Sequence, residues 1–186
     1  MAKIVYDEHY KEEEYFGAPY KGLIDFFRDY EPKGRVLDLG CGQGRDSIPI
    51  ALMGYDVTAV DYSKVGISQV KNKALSAGVN INTLVGDVYQ MNIDQSIDIV
   101  LLDSMLHFYK NDLEKESTLV KRILDDLRGG GIFANFILKG KVREKTLKDI
   151  IRQSQFEWEV LTEKYVNYPE SKSQYHMLVI RKVKHD

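Results

Sequence analysis

The sequence predicts an α/β fold, a largely parallel sheet with helices on both faces, and three observations carry the prediction. Short apolar runs alternate with helical apolar patterns from about residue 35 to residue 153. A glycine-rich turn, "GCGQG" (40–44), separates the first of these runs from the helix that follows. Two later runs are joined by a loop too short to hold a crossover helix, which makes them antiparallel neighbours.

The elements follow in chain order. Eight of the 20 aromatic residues lie between Tyr6 and Tyr30, so the N-terminal segment is expected to be packed. Leu23, Phe26, Phe27 and Tyr30 have i, i+3, i+4, i+7 spacing, an amphipathic helix. Tyr6, Tyr10 and Tyr15 precede that stripe and need another home. Strands are expected at "RVLDL" (35–39), "DVTAV" (56–60), "INTLV" (81–85), "IDIVLL" (97–102) and "GIFANFIL" (131–138). Helices are expected over "RDSIPIALM" (45–53), around Ile67, Val70 and Ala74, around Val120, Ile123, Leu124 and Leu127, and around Leu147, Ile150 and Ile151.

"FEWEVLTEKYV" (156–166) alternates, with Phe156, Trp158, Val160 and Thr162 on one face and Glu157, Glu159, Leu161 and Glu163 on the other. "YHMLVIRKV" (175–183) is nearly continuous in apolar residues from Met177 to Ile180, so it belongs inside the sheet and the previous run at its edge. Arg181, Lys182 and Lys184 read as a solvated basic tail.

Composition narrows the classes of function. The 186 residues are expected to form one domain, 44% apolar and 29% charged. A net charge of −2 gives no general attraction to nucleic acid. The single cysteine cannot close an internal disulfide, and the N-terminus has no apolar signal core. No apolar run approaches the roughly 18 residues of a bilayer span. A cytoplasmic protein is the expectation.

The chemistry is concentrated at strand ends. "VLDLGCGQGRDS" (36–47) is a strand–turn–helix junction that brings backbone close to a ligand. A phosphate-cradling loop would need Lys-Ser/Thr after Gly44, where Arg45 and Asp46 stand. A dinucleotide would meet the repulsion of Asp46. S-adenosylmethionine, cationic and without phosphate, suits Asp38 just before the glycines. Asp61 follows 23 positions later at the next strand end, where a carboxylate can accept from both ribose hydroxyls. Asp87 with Val88, in "VGDVYQM", and Asp103, in "LLDSMLHF", stand at the next two strand ends. As an N-cap for the helix after Asp61, Ser63 is the better residue.

Together "VLDLGCGQG", "VTAVDYS", "GDVYQM", "IDIVLLDSMLHF" and "LRGGGIFANF" resemble the class I, seven-stranded S-adenosylmethionine-dependent methyltransferases, over about residues 6 to 183. Within them the chain looks most like the small tellurite-resistance-type and general small-molecule enzymes. The resemblance implies a Rossmann-like sheet of order 3-2-1-4-5-7-6 with strand seven antiparallel. It implies that Gly40 and Gly42, with Cys41 and Gly44 in the same loop, approach the methionine part of S-adenosyl-L-methionine. Asp38 would orient its amine, Asp61 and the adjacent Tyr62 would meet the ribose, and Asp87 with Val88 the adenine. Asp103 would lie beside the reacting methyl.

Cys41 is read as packing, since no base accompanies it. The lone thiol excludes pyrimidine methylation through a cysteine nucleophile and multi-cysteine arsenite methylation. The absence of a Pro-Pro dipeptide excludes the signature of amino-methylating nucleic-acid enzymes. No metal site is expected.

His107 is the candidate general base, with a pocket-wall residue as the alternative; Arg45 and Ser104 complete the expected substrate pocket. Arg45 has three possible partners, the cofactor carboxylate, an anionic acceptor, or Asp46 and Asp103. Tyr10 and Tyr15 are expected in a lid over the cofactor (residues 1–30 as lid and helix, 34–186 as core), hydrogen-bonding its carboxylate. The expected partner is a small-molecule acceptor, with no nucleic acid or membrane, for a monomer or homodimer. An NAD(P)-dependent oxidoreductase and a non-enzymatic S-adenosylmethionine-binding module are the alternatives.

Overall fold

A computed structural model of the chain describes residues 6–184. Helices α1 (Tyr6–His9) and α2 (Lys21–Asp29) come before β1 (Arg35–Leu39). Then follow α3 (Ser47–Leu52), β2 (Asp56–Asp61), α4 (Lys64–Ala77), β3 (Ile81–Val85), β4 (Ile99–Asp103) and α5 (Leu113–Asp126). The chain continues through β5 (Ile132–Leu138), α6 (Lys141–Gln153), β6 (Trp158–Asn167) and β7 (Gln174–Lys182). Six helices thus accompany one seven-stranded sheet of order β3-β2-β1-β4-β5-β7-β6 among the described residues. β1 to β5 run parallel, and β7 is antiparallel to both β5 and β6. This is the expected topology.

Two apolar layers hold the sheet. Leu23 and Phe27 of α2, Ile50 of α3, and Ile67 and Val70 of α4 pack against one face. Leu119, Val120, Ile123 and Leu124 of α5, with Leu147 and Ile150 of α6, pack against the other. β4 is buried along its whole length, as a central parallel strand requires. Ser63 caps α4 by accepting from the Gly66 amide (3.0 Å), and Gly78 ends it at φ +68°. Among the described residues no helix is long and apolar enough to cross a membrane.

Three expectations are corrected. The helix after the glycine turn begins at Ser47 rather than Arg45, because Arg45 and Asp46 form the turn and pair with each other. The alternation predicted for β6 breaks at a bulge between Val160 and Thr162. The extra residue exchanges the faces beyond it: Val160 pairs with Ile180 but Thr162 with Val179, which belong to opposite apolar layers, while Leu161 packs on the core and Val160 is exposed. The basic end is not a solvated tail as far as Lys182. That residue lies in β7, is 6% exposed, and donates through Nζ to the carbonyls of Leu124, Asp125 and Leu127, which end α5.

Candidate functional site

The site lies at the carboxyl ends of β1, β2 and β4, where the chain, having laid β2 and β3 to one side of β1, returns to lay β4 on the other. Ligands in open α/β sheets bind at this switch point. The amides of Gly40 and Cys41 donate to the Val60 carbonyl (2.8 and 3.0 Å), tying the loop after β1 to the end of β2. Gly40 and Gly42 adopt φ of +85° and +53°, the left-handed region where a side chain is strained. A Cβ on Gly40 would overlap the Met105 thioether, and one on Gly42 would come within 2.8 Å of the Tyr10 hydroxyl.

Carboxylates surround this loop. Asp61 accepts from the Gly42 amide (2.8 Å) and the Ser63 amide (2.7 Å). Burial raises its pKa, and the two amides oppose the rise. The Tyr62 amide opposes it as well, so three backbone amides favour the ionised form of Asp61. Asp38 is fully enclosed and accepts from Ser47 Oγ (2.5 Å). Burial, with the charge of Asp46 adding to it, pushes its pKa up to about 7. Asp46 is likewise raised by burial, opposed by Arg45.

Arg45 is the cation of this cluster. It donates to both oxygens of Asp46 (3.1 and 3.0 Å) and to Asp103, joining the turn before α3 to the end of β4. Its guanidinium lies 5.1 Å from the centre of the Tyr20 ring and 5.8 Å from that of Tyr168. Tyr20 stacks on Phe136 (5.3 Å, 7°) and shares a hydrogen bond with Ser104 Oγ (3.2 Å). Ser104 in turn donates to Asp103 (2.9 Å) from a left-handed backbone, φ +58°. Tyr175 closes this aromatic wall against Tyr20 and Tyr168.

The N-terminal segment crosses the mouth of the site. Asp7 pairs with Ser63, the Tyr10 ring is 3% exposed beneath Gly42, and the Tyr15 amide donates to Gln43 (2.9 Å). On the far side Tyr168 donates to the Phe16 carbonyl (2.7 Å) and Glu170 accepts from the Ala18 amide (3.3 Å). The lid expected over residues 1–30 is therefore described from Tyr6 onward; residues 1–5 lie outside the described residues.

Other expected residues sit as follows. Cys41 is buried in the core, and burial together with Asp38 and Asp61 raises its thiol well above the usual range, as a packing residue would have it. Gly44 has φ +82° and faces Val70. Asp87 accepts from the Tyr89 amide (2.9 Å) beside buried Val88, and Tyr62 is exposed next to Asp61. The Tyr15 ring turns toward His9 and Phe16. The His107 ring stacks on Tyr109 (5.5 Å, 20°), which carries Arg143 on its own ring at 5.8 Å. The His107 and Phe108 amides both donate to buried Glu116.

Several residues were not foreseen: Ser47, Gln43, Gln69, Met105, Glu116 and the aromatic wall of Tyr20, Tyr168 and Tyr175. Only the last had a signal, the "NYP" in the loop after β6 and the tyrosine opening "YHMLVI".

Asp46 and Asp103 thus pair with one guanidinium, and Asp38 and Asp61 stand buried beside the same glycine loop, which admits close backbone approach. Such a fold and site define an enzyme class that holds a cationic adenosine cofactor. A family profile described as a methyltransferase domain matches residues 36–131, and the chain belongs to that family, carrying its class I, S-adenosylmethionine-dependent fold.

A probable S-adenosyl-L-methionine-dependent methyltransferase TehB of Haemophilus influenzae is 30% identical over 127 residues, 65% of this chain and 43% of the relative. A cypemycin N-terminal methyltransferase of a Streptomyces species is 31% identical over 116 residues, 61% of this chain and 46% of the relative. The chain therefore spans under half the length of these curated relatives. Among solved structures, TehB from Haemophilus influenzae superposes with a TM-score of 0.73 at 23% identity, covering 91% of this chain and 66% of that one. The N-methyltransferase NodS from Bradyrhizobium japonicum, in complex with S-adenosyl-L-homocysteine, gives 0.77 at 12% identity, covering 96% and 97%. Likeness at these identities speaks for the fold.

Proposed function

We propose that the protein transfers a methyl group from S-adenosyl-L-methionine to a small-molecule acceptor. The observation that carries this reading is the anionic cradle. Asp38, raised to about 7 by burial, is a carboxyl group that a bound ammonium would bring back to its ionised form. The residues fit the cofactor. Asp38 and Asp103 would hold its cationic amino-acid end, the Gly40–Gly42 backbone its close approach, Asp61 with Tyr62 its ribose, and Asp87 with Val88 its adenine.

The bound cofactor supplies an activated methyl group on a sulfonium. What the chain supplies is alignment, worth roughly 7–11 kcal/mol in well-oriented reactions. The wall of Tyr20, Tyr168 and Tyr175 orients the acceptor, with Ser104 and Arg45 at its base. The segment from Tyr6 to Phe16, with Tyr10 and Tyr15, excludes water. For a hydroxyl or ammonium acceptor, His107 takes the proton; an acceptor already anionic needs no base. The short connections between the described elements argue for a small-molecule acceptor, and the reading is of a cytoplasmic enzyme without nucleic-acid or membrane partners, monomeric or homodimeric.

Thermal denaturation tests this. S-adenosylhomocysteine at about 100 times its Kd adds about 2.7 kcal/mol, which raises Tm by roughly 5–10 °C for a chain of this size. NAD and NADP should leave Tm unchanged. A shift with the dinucleotides and none with either sulfur ligand would overturn the proposal. Binding without turnover across a broad acceptor panel would reduce the protein to a cofactor-binding module.

A further inference from the structure

The N-terminal segment is fastened to the glycine loop by two glutamines that the chemistry of the site does not otherwise use. Gln43, between Gly42 and Gly44, is 4% exposed although its side chain is polar. Its Oε1 accepts from the Tyr15 amide (2.9 Å), and its Nε2 donates to the Glu12 carbonyl (2.8 Å) and to Gln69 Oε1 (2.6 Å). Gln69, on α4, donates from Nε2 to the Tyr10 carbonyl (2.6 Å).

The backbone partners fix both amides: the Tyr15 N–H needs an oxygen, and the Glu12 and Tyr10 carbonyls need N–H donors. The result is a continuous chain, from the Tyr15 amide through Gln43 and Gln69 to the Tyr10 carbonyl, in which each bond polarises the next. A glutamate or lysine at either position meets one partner with the wrong polarity.

Apart from α1, a single turn, residues 6–18 contain no regular structure. Such a segment is held by individual bonds; Gln43 and Gln69 make three of them, and a fourth joins the two glutamines to each other. The other fastenings are at its ends, Asp7 on Ser63 and, beyond the glycine loop, Phe16 and Ala18 on Tyr168 and Glu170. The glutamines hold the middle. That middle carries Tyr10, whose hydroxyl faces Gly42.

We infer that Gln43 and Gln69 are positioning residues: together they latch the segment 10–15 over the glycine loop and so set how long a bound cofactor stays. The inference rests on the proposed cofactor site. The latch acts on departure rather than on the cradle itself, because Asp38, Asp61 and Asp103 make no hydrogen bond to either glutamine among the described contacts. Opening the latch uncovers the loop without changing what the loop offers a ligand.

The test uses the full-length protein with S-adenosylhomocysteine as the probe. Gln69→Ala, on the half-buried surface of α4, is the principal variant; Gln43→Ala is the stronger one, and where it fails to fold Gln69→Ala alone decides. Stopped-flow binding should show dissociation from Gln69→Ala about tenfold faster than from the wild type, with the association rate within twofold. Hydrogen exchange of the peptide spanning residues 6–16 should slow on ligand binding in the wild type, and this protection should be lost in the variant while that of β1 and β4 persists. A purely structural role would speed exchange throughout and lower Tm without separating the two rates. Unchanged dissociation and unchanged protection would overturn the inference, as would tighter binding, which would mean that the segment competes with the ligand. If the wild type itself bound no S-adenosylhomocysteine, the proposed cofactor site would be what failed.

Discussion

At the scale of single residues, the site is built from carboxylates held where water cannot stabilise their charge, and this has a pH signature. An aspartate in an unfolded chain titrates near pH 3.9, whereas Asp38 in the folded chain keeps its proton up to about pH 7. Between about pH 4 and 7 the native state therefore binds more protons than the unfolded one, and stability falls as pH rises through that window. Asp61, also raised by burial, adds in the same direction. The ligand-free Tm should fall between pH 5 and pH 8. The gain from S-adenosylhomocysteine should grow over the same range, because its ammonium favours ionised Asp38. Asp38→Asn should flatten the first dependence and remove the second, both read by thermal denaturation at several pH values.

Arg45 gives an opposite kind of prediction. Arg45→Met leaves Asp46 and Asp103 facing each other without a cation, and unpaired buried charge costs about 3–5 kcal/mol, measurable in urea. Arg45→Lys should recover only part of that, since one ammonium cannot reproduce a planar fork shared by two carboxylates.

The position of the acids was legible in the sequence because they recur near the carboxyl ends of strands, Asp38 next to last in β1, Asp61 and Asp103 last in β2 and β4, and Asp87 just beyond β3. The fate of Arg45 was not, because its possible partners could be ranked only once β4 had been placed beside β1. Lys182 was misread for a related reason: nothing local says that a lysine at a strand end will reach three carbonyls of a helix some 55 residues earlier in the chain.

At the scale of elements, the strands and helices were legible because each buried face repeats with the period of its own geometry, although β3 and β4 follow one another without a helix between them. What escaped were departures from a period. The bulge at Leu161 shifts the face of the edge strand by one residue, and period-two reading carries no mark for an inserted residue. The loop from Ser104 to Asp112 escaped as well, because it is organised from outside. A single oxygen of Glu116 receives the amides of His107 and Phe108, and the left-handed Phe108 (φ +51°) fits the curve this imposes. Glu116→Ala should cost about 1–3 kcal/mol for each amide left unpaired. Hydrogen exchange at those two amides should accelerate while the rest of α5 keeps its protection. His107→Ala should leave that protection intact, and any loss of turnover it causes would then belong to the ring. Full turnover in His107→Ala would remove the histidine as the base.

At the scale of the whole molecule, two features of the sheet were legible for different reasons. The parallel order of β1 to β5 follows from strand–helix alternation, and the antiparallel ending from a connection too short to cross over. That β7 would lie inside the sheet and β6 at its edge followed from the apolar run Met177–Ile180, and its place between β5 and β6 from the family resemblance.

That insertion also sets a timetable. During synthesis β5 leaves the ribosome with one edge open, and β6 follows with no partner in the sheet, since β7 covers that edge of β5 and is the one neighbour of β6 in the sheet. The sheet cannot be completed until residues 174–182 have emerged, some 40 residues after β5 begins. Until then the nascent chain carries an unpaired β6 and an open edge on β5, the strand of Phe133, Phe136 and Ile137, a surface that invites aggregation or a chaperone. A chain halted at residue 173 should accordingly stay bound to chaperones or precipitate, with its first five strands unable to form a soluble half-domain; a soluble, protease-resistant product of that length would show that β1 to β5 close without the last strand. The strand that completes this sheet is thus the last of its seven to be made.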